Sequence, residues 1–304
     1  MTLRRLILLV CFVSIAGCHS VRQAPISLWS VQSDSSHVYL MGSVHALAPD
    51  FYPLYGEFDQ AFEQADTLVV EVNLHEIHED EITQRMQQMG TYQSGSLEEN
   101  LSPETLYLLN EYLEKTNQRL SAYNIMRPWF VSLQIGMQLL AAAGYDPELG
   151  IDQHYLYKAY GKKEILELES FGEQMDILSG DSPEIQDLSL RASLQEVDRT
   201  PGDLARLVSA WQQGDADEIY RVATRPIRRY PQLEVQLDRL IDERNLKMVD
   251  KIRQYLDRPG TYLVIIGALH MGGRNGIVNL LSQDFKVTQW QRGMVLGEAV
   301  LTNQ

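Results

Sequence analysis

Two histidines each stand three residues after a glycine that closes an apolar run: Gly42-Ser43-Val44-His45 near the start of the chain and Gly267-Ala268-Leu269-His270 near its end. The runs themselves, Val38–Met41 and Tyr262–Ile266, read as buried strands. A glycine at such a point lets the chain turn sharply. An imidazole three residues on can then project over the carboxyl edge of a sheet, where open α/β sheets bind ligands. Two carboxylates have similar placement: Glu71 follows Leu68-Val69-Val70, and Glu169 follows Ile165-Leu166-Glu167-Leu168. Two imidazoles with one or two carboxylates on one edge match the ligand preferences of zinc, manganese, cobalt or iron. They equally match a metal-free site in which one imidazole is the general base on water. Taken singly, each residue also has a plain structural reading: a loop histidine held by a hydrogen bond, or a glutamate that caps a helix or pairs with an arginine.

The elements that must position these groups follow from the hydrophobic spacing. Leu28–Val31 and Val38–Met41, parted by a polar turn, form a hairpin signal. Pro53–Thr67 has helical spacing, and Thr67–Val72 follows as a strand. A strand, crossover helix and second strand make a parallel pair, so the expected fold is α/β, with a central, mostly parallel sheet. Strand signals vanish over residues 75–160, which read as a large helical insertion. Within it, Ser102-Pro103-Glu104 opens one helix and Pro128–Ala143 forms an apolar one whose Trp129, Phe130, Leu133, Met137 and Leu140 pack that region. Lys163–Glu169 restores a strand, Gln232–Leu256 reads as one long amphipathic helix, Ile277–Leu281 as a short one and Lys286–Trp290 as the last strand. His75-Glu76-Ile77-His78-Glu79 imitates a zinc-peptidase helix, but that motif needs histidines at i and i+4, and these stand at i and i+3. It follows Asn73, a candidate cap, and reads as the start of a solvated helix.

Composition narrows the function. The chain has 304 residues, 44% of them hydrophobic, which is ample for a packed core. With 26 Lys+Arg against 41 Asp+Glu the net charge is −15, and the one basic cluster, Arg225–Arg229, is short and interrupted by Pro226, so nucleic acid is excluded as a partner. A Walker loop, a nucleophile-elbow serine and a dinucleotide fingerprint are absent from the sequence. Arg4 and Arg5 precede an apolar run, Leu6–Val13, too short to span a bilayer, and the run closes on Ser14-Ile15-Ala16-Gly17-Cys18. That ending resembles a bacterial lipobox. It makes 1–17 a lipoprotein signal peptide, Cys18 the acylated residue, 18–27 a tether and 28–304 the folded domain. Cleavage would leave Cys18 as the sole cysteine, excluding an internal disulfide or thiolate metal cluster. The expected address is the cell envelope, lipid-anchored at the outer membrane and facing the periplasm. An ordinary secretory signal is the alternative.

The same motifs resemble the TraB/GumN family. They are Gly42–Leu47 with Tyr52-Pro53-Leu54, the strand-end Glu71, Gly150-Ile151-Asp152, Glu169 with Gln174, Glu243-Arg244-Asn245 with Met248, and Gly267–His270. That family is similar to the TIKI metalloproteases and, more distantly, to erythromycin esterases and ChaN-like haem-binding lipoproteins. The resemblance implies an α/β fold built from two related halves and a site containing His45, Glu71 and His270 with Arg244 or Asn245 nearby. It also implies a divalent-metal peptidase chemistry using manganese, cobalt or zinc. In that reading His45, His270 and Glu71 hold the ion, and Glu71 or Glu169 is the base on the bound water. Arg244 stabilises the oxyanion or clamps a substrate carboxylate, or is merely paired on the exposed side of its helix. The substrate is a peptide or small molecule. Two other functions stay open: a non-catalytic lipoprotein binding haem or a peptide in the same pocket, and a structural member of the family.

Overall fold

The computed structural model describes residues 24–294. The expected signal peptide, Cys18 and most of the tether lie outside them. Residues 25–27, expected as part of a tether, belong to the sheet instead: Pro25 opens a strand in which Ile26 and Ser27 are buried.

Six strands form one sheet: β1 (Pro25–Gln32), β2 (Ser36–Ser43), β3 (Thr67–Val70), β4 (Glu164–Glu167), β5 (Gly260–Gly267) and β6 (Lys286–Gln291), in the order β4-β3-β5-β2-β1-β6. β2, β5, β3 and β4 run parallel, while β1 is antiparallel to both β2 and β6. The fold is therefore α/β with a mostly parallel sheet. The two Gly-x-x-His strands are direct neighbours, with Ser43 opposite Gly267. Because the four parallel strands share a direction, Ser43, Val70, Glu167 and Gly267 all end at one edge, which brings the residues that follow them together.

Thirteen α-helices complete the described chain. The first six are α1 (Gly56–Gln64), α2 (Glu79–Gly90), α3 (Leu97–Asn100), α4 (Pro103–Lys115), α5 (Pro128–Ala142) and α6 (Ile151–Ala159). After β4 come α7 (Phe171–Ser179), α8 (Pro183–Glu196), α9 (Thr200–Gln212), α10 (Ala216–Ala223), α11 (Glu234–Leu237) and α12 (Glu243–Leu256), and α13 (Ile277–Leu281) follows β5.

The central strands carry unbroken apolar runs, Val38–Met41, Leu68–Val70 and Leu263–Ile266, because helices cover both faces. Leu28, Tyr39, Met41, Leu68, Val70, Leu263 and Ile265 pack against Phe58 and Phe62 of α1, Tyr155 and Leu156 of α6 and Trp211 of α9. The alternate residues Trp29, Val38, Leu40, Val69, Val264 and Ile266 pack against Met248, Val249 and Ile252 of α12 and against Ile277 and Leu281 of α13. The alternation follows from the two-residue side-chain period of a strand.

Helices do fill the stretch between β3 and β4. Ser102 caps α4 through its side chain with Pro103 in the first turn, and Pro128 opens α5, as their residue types dictate. Leu97, Leu109, Leu113, Val131 and Ile135 build a separate cluster there, joined by Leu190 and Leu194 of α8. Met137, expected inside, faces outward with 41% of its surface exposed. Asn73 caps no helix through its side chain; α2 begins six residues later, after His78. The long helix expected over Gln232–Leu256 is interrupted: a π turn, Asp238–Asp242, separates α11 from α12. That turn hands the Leu240 carbonyl to Arg244, a use typical of π turns beside functional groups.

Candidate active site

The carboxyl edge of the sheet opens into a pocket of about 450 Å³, with Ser43, His45, Glu71, Asp152, Gln174, Arg244 and His270 among its lining residues. Apolar walls come from Val70, Leu156, Ile177 and Ile265, and Leu74 and Leu178 are partly exposed there.

Gly267 is the point on which the site converges. A Cβ there would lie 3.3 Å from both His45 Nε2 and Glu71 Oε1 and 3.7 Å from His270 Cδ2. Its φ of −49° is open to any residue. Glycine is thus favoured by the closeness of the His45 and Glu71 side chains, and not by the turn that the sequence suggested. Gly42 has a matching reason, since a Cβ on it would meet Ala268 Cβ at 3.3 Å. The Gly42 carbonyl is held by Trp211 Nε1 at 2.8 Å, which secures the end of β2.

His45 is positioned by a loop laced to it. Leu47 and Asp146 exchange backbone hydrogen bonds, Ile151 N–H donates to the Val44 carbonyl at 3.1 Å, and Gly150 packs so close that a Cβ would sit 2.6 Å from the His45 oxygen. This delivers Asp152, in the first turn of α6, to within 3.2 Å of His45 Nδ1. The ring therefore turns Nε2 toward Glu71. Its side chain is 68% exposed, so solvent and ligands reach it. Desolvation by the pocket walls works against a charge on His45. The hydrogen bond and charge of Asp152 and the charge of Glu71 outweigh it, with Arg244 opposing, and raise the imidazole to about 9.

His270 has the opposite environment. It is 4% exposed, its Nδ1 lies 2.6 Å from Asn245 Oδ1, and Arg244 Nη1 stands 3.2 Å from its Nε2. Burial above all lowers its pKa, with the charges of Arg244 and His45 adding to that and Glu71 opposing, to about 4. It is neutral at pH 7. Asn245 is fully buried and donates through Nδ2 to the Asn275 carbonyl at 2.8 Å. It fixes His270 from behind and does not line the pocket.

Arg244 is the centre of the polar network and is only 11% exposed, so it does not lie on an open helix face. Nε donates to Glu169, Nη1 to the Leu240 carbonyl and His270 Nε2, and Nη2 to Glu71 Oε2 at 2.7 Å and Glu169 Oε2 at 2.8 Å. Every N–H of the guanidinium is taken. It has none left for an oxyanion or a substrate carboxylate, the roles the sequence suggested. Burial opposes its charge, but Glu169 and Glu71 more than compensate and raise its pKa further. Glu169 is the counter-ion of Arg244 and spends both oxygens on it. Glu71 is different. Burial would raise its pKa, but the charges of His270, His45 and Arg244 and the Gly267 N–H, 2.7 Å from Oε1, bring it down to about 2. Gln174 Nε2 adds a bond to Oε2 at 3.2 Å.

The structure thus brings His45, Glu71 and His270 together, with Glu169, Arg244 and Asn245 around them. It also shows two groups to which the sequence assigned no role, Asp152 and Gln174. Both stood in the quoted motifs Gly150-Ile151-Asp152 and Glu169 with Gln174, but what they bond depends on packing.

The donor set does not fit a resident divalent metal. Arg244 already places positive charge on His270 Nε2 and Glu71 Oε2, two of the three atoms that would ligate an ion. Although His45, Glu71 and His270 converge on Gly267, His270 presents Cδ2 there as its nearest atom, and among the described residues no three His, Cys, Asp or Glu side chains have their donor atoms placed to share an ion.

The model of the TraB/PrgY/gumN family matches residues 27–289. The chain belongs to that family. Relatives of this TraB/PrgY/gumN member include the uncharacterized protein YbaP of Escherichia coli (strain K12) and that of Shigella flexneri. Each is 26% identical over 246 residues, covering 81% of this chain and 88% of the relative. An uncharacterized protein of Treponema pallidum (strain Nichols) is 24% identical over 205 residues, 64% of this chain and 60% of its own length. No solved structure matches this family member. No helix of the described residues is long and apolar enough to cross a membrane.

Proposed function

We propose that this TraB-family pocket is a hydrolase site for the carbonyl carbon of a peptide or related amide, in which His45 activates water without a resident metal. The observation that supports this reading is the pair of contacts at His45: Nδ1 against Asp152, and Nε2 turned over Gly267 toward Glu71. Asp152 fixes the tautomer, so the basic nitrogen faces the pocket, as in sites where a carboxylate orients a catalytic imidazole. Water gives a proton to His45 Nε2 as its oxygen bonds to the carbonyl carbon. The same proton then passes to the leaving nitrogen as the C–N bond breaks, restoring His45. The reaction runs through the unprotonated fraction of His45, which grows with pH up to its pKa near 9, and Glu71, ionised at neutral pH, stabilises the imidazolium formed between the two steps. Arg244 supplies fixed positive charge behind Glu71 and helps keep that carboxylate ionised. His270, neutral and locked, closes the floor. We further propose that the chain works at the bacterial envelope, attached to the outer membrane through a lipid on Cys18.

The test uses the full chain in detergent against a mixed panel of peptides, with cleavage read by mass spectrometry and bound metal by elemental analysis. Cleavage that resists chelator and drops about 1000-fold in His45→Ala is expected, the loss typical of removing a general base. Stoichiometric metal lost on His45→Ala, or cleavage restored only by added manganese or cobalt, would overturn the metal-free reading. Palmitate labelling that persists in Cys18→Ala would refute the anchor.

A further inference from the structure

The Ser43 hydroxyl is an unexplained group in the pocket. It lies two residues before His45 and opposite Gly267, at the end of β2. Ser43 is among the residues lining the pocket, it is only 2% exposed, and its buried Oγ has no hydrogen-bond partner. A buried hydroxyl left without a partner disfavours the folded state, so a ligand oxygen or nitrogen is the natural group to satisfy it.

The donors around it narrow its role. The N–H groups of Arg244 all go to protein atoms, Asn245 holds Nδ1 of His270, and Gln174 spends one of its two Nε2 hydrogens on Glu71, which ties that amide to the carboxylate side of the pocket. Hydrolysis at a carbonyl develops negative charge on the carbonyl oxygen, which needs a donor aimed at it. Ser43 is not a nucleophile in this arrangement: neither imidazole is within hydrogen-bonding distance of Oγ, so no base takes its proton. The hydroxyl remains free to donate.

Resting on the hydrolase reading above, we infer that Ser43 Oγ–H donates to the carbonyl oxygen of the bound substrate as it becomes an oxyanion. The substrate class is an amide whose acyl side carries an apolar group, seated against Val70, Leu156, Ile177 and Ile265. The same residue assigns direction to the pocket: carbonyl oxygen toward Ser43, attacking water on the side of His45 and Glu71.

The experiment compares the full-length wild type with Ser43→Ala, Ser43→Thr and His45→Ala, measuring thermal unfolding and the steady-state cleavage of peptides with leucine or phenylalanine on the acyl side. Ser43→Ala is expected to unfold at the same or a higher temperature, since an orphaned polar group has been removed. Its kcat should fall about 100-fold with KM little changed, the signature of a bond made in the transition state. Ser43→Thr, which keeps the hydroxyl, should recover most of the turnover. Three results overturn the inference: unfolding several degrees lower in Ser43→Ala, which would mean that the hydroxyl is bonded within the fold; a rise in KM alone; or wild-type kcat in Ser43→Ala while His45→Ala is inactive. In that last case the hydrolase reading stands and only Ser43 is wrong. Wild-type turnover in His45→Ala removes the hydrolase reading itself.

Discussion

Arg244 Nη1 stands 3.2 Å from His270 Nε2, and because a guanidinium only donates, His270 must accept there and keep its proton on Nδ1, against Asn245. The two histidines of the two similar motifs are therefore not equivalent. His270 is a buried neutral acceptor with its pKa near 4, and His45 is an accessible base lifted to about 9 by Asp152 and Glu71. A pair of titratable groups driven apart in this way is how one site assigns different roles to like side chains.

Arg244 joins the ends of β3 and β4 to α12 by neutralising Glu71 and Glu169, both nearly buried. Arg244→Met leaves two carboxylates without their cation and should cost about 3–5 kcal/mol of folding stability. Arg244→Lys keeps the charge but loses the fork, so its loss should be smaller. Urea unfolding of the two variants checks the order; a stable Arg244→Met would show that the network is not structural.

Gly150 allows Asp152 to reach His45, since a Cβ at that position would press on the His45 carbonyl at 2.6 Å. Gly150→Ala should push the two loops apart and break the His45–Asp152 pair while leaving both functional side chains in the sequence. A displacement of about 1 Å can cost roughly 100-fold in turnover, so cleavage should fall by that order. Histidine resonances in NMR should show the His45 pKa moving down toward its ordinary value.

Acid stability follows from His270. Its folded pKa, about 4, lies below the ordinary 6.5, so between those values the unfolded chain binds more protons. The contribution of His270 is then full above pH 6.5 and is lost as pH falls toward 4, by on the order of 3 kcal/mol. Glu71, lowered to about 2, continues the loss below pH 4.5. Unfolding free energies measured from pH 7 to pH 3 should show both windows, and His270→Gln should remove the upper one.

The rate profile tests His45 from the other side. A general base must be unprotonated, so kcat/KM should climb about tenfold per pH unit through neutrality and level off near 9. Asp152→Asn withdraws the group that raises His45. The profile should level at a lower pH and at a lower plateau. An unchanged profile would assign the limb to another group.

The strand runs at Val38–Met41, Leu68–Val70 and Tyr262–Ile266, the helix starts at Pro103 and Pro128, and the placement of His45, Glu71, Glu169 and His270 at strand ends were all legible in the sequence. Each depends on a local property, an apolar run or a residue's position relative to a turn, that neighbours in the chain settle among themselves. The partner of each polar atom is a different matter. Whether Arg244 meets a substrate or Glu71, Glu169 and His270 depends on a π turn at Asp238–Asp242 and on strands that lie far from it in the chain. Asp152 reaches His45 because Gly150 lets two loops touch. Ser43 looked like a spacer in its motif and became a candidate oxyanion donor only once its hydroxyl was found buried and alone. Tertiary structure decided these roles because a hydrogen-bond donor serves a limited number of acceptors, and only the folded arrangement determines which acceptors come within reach.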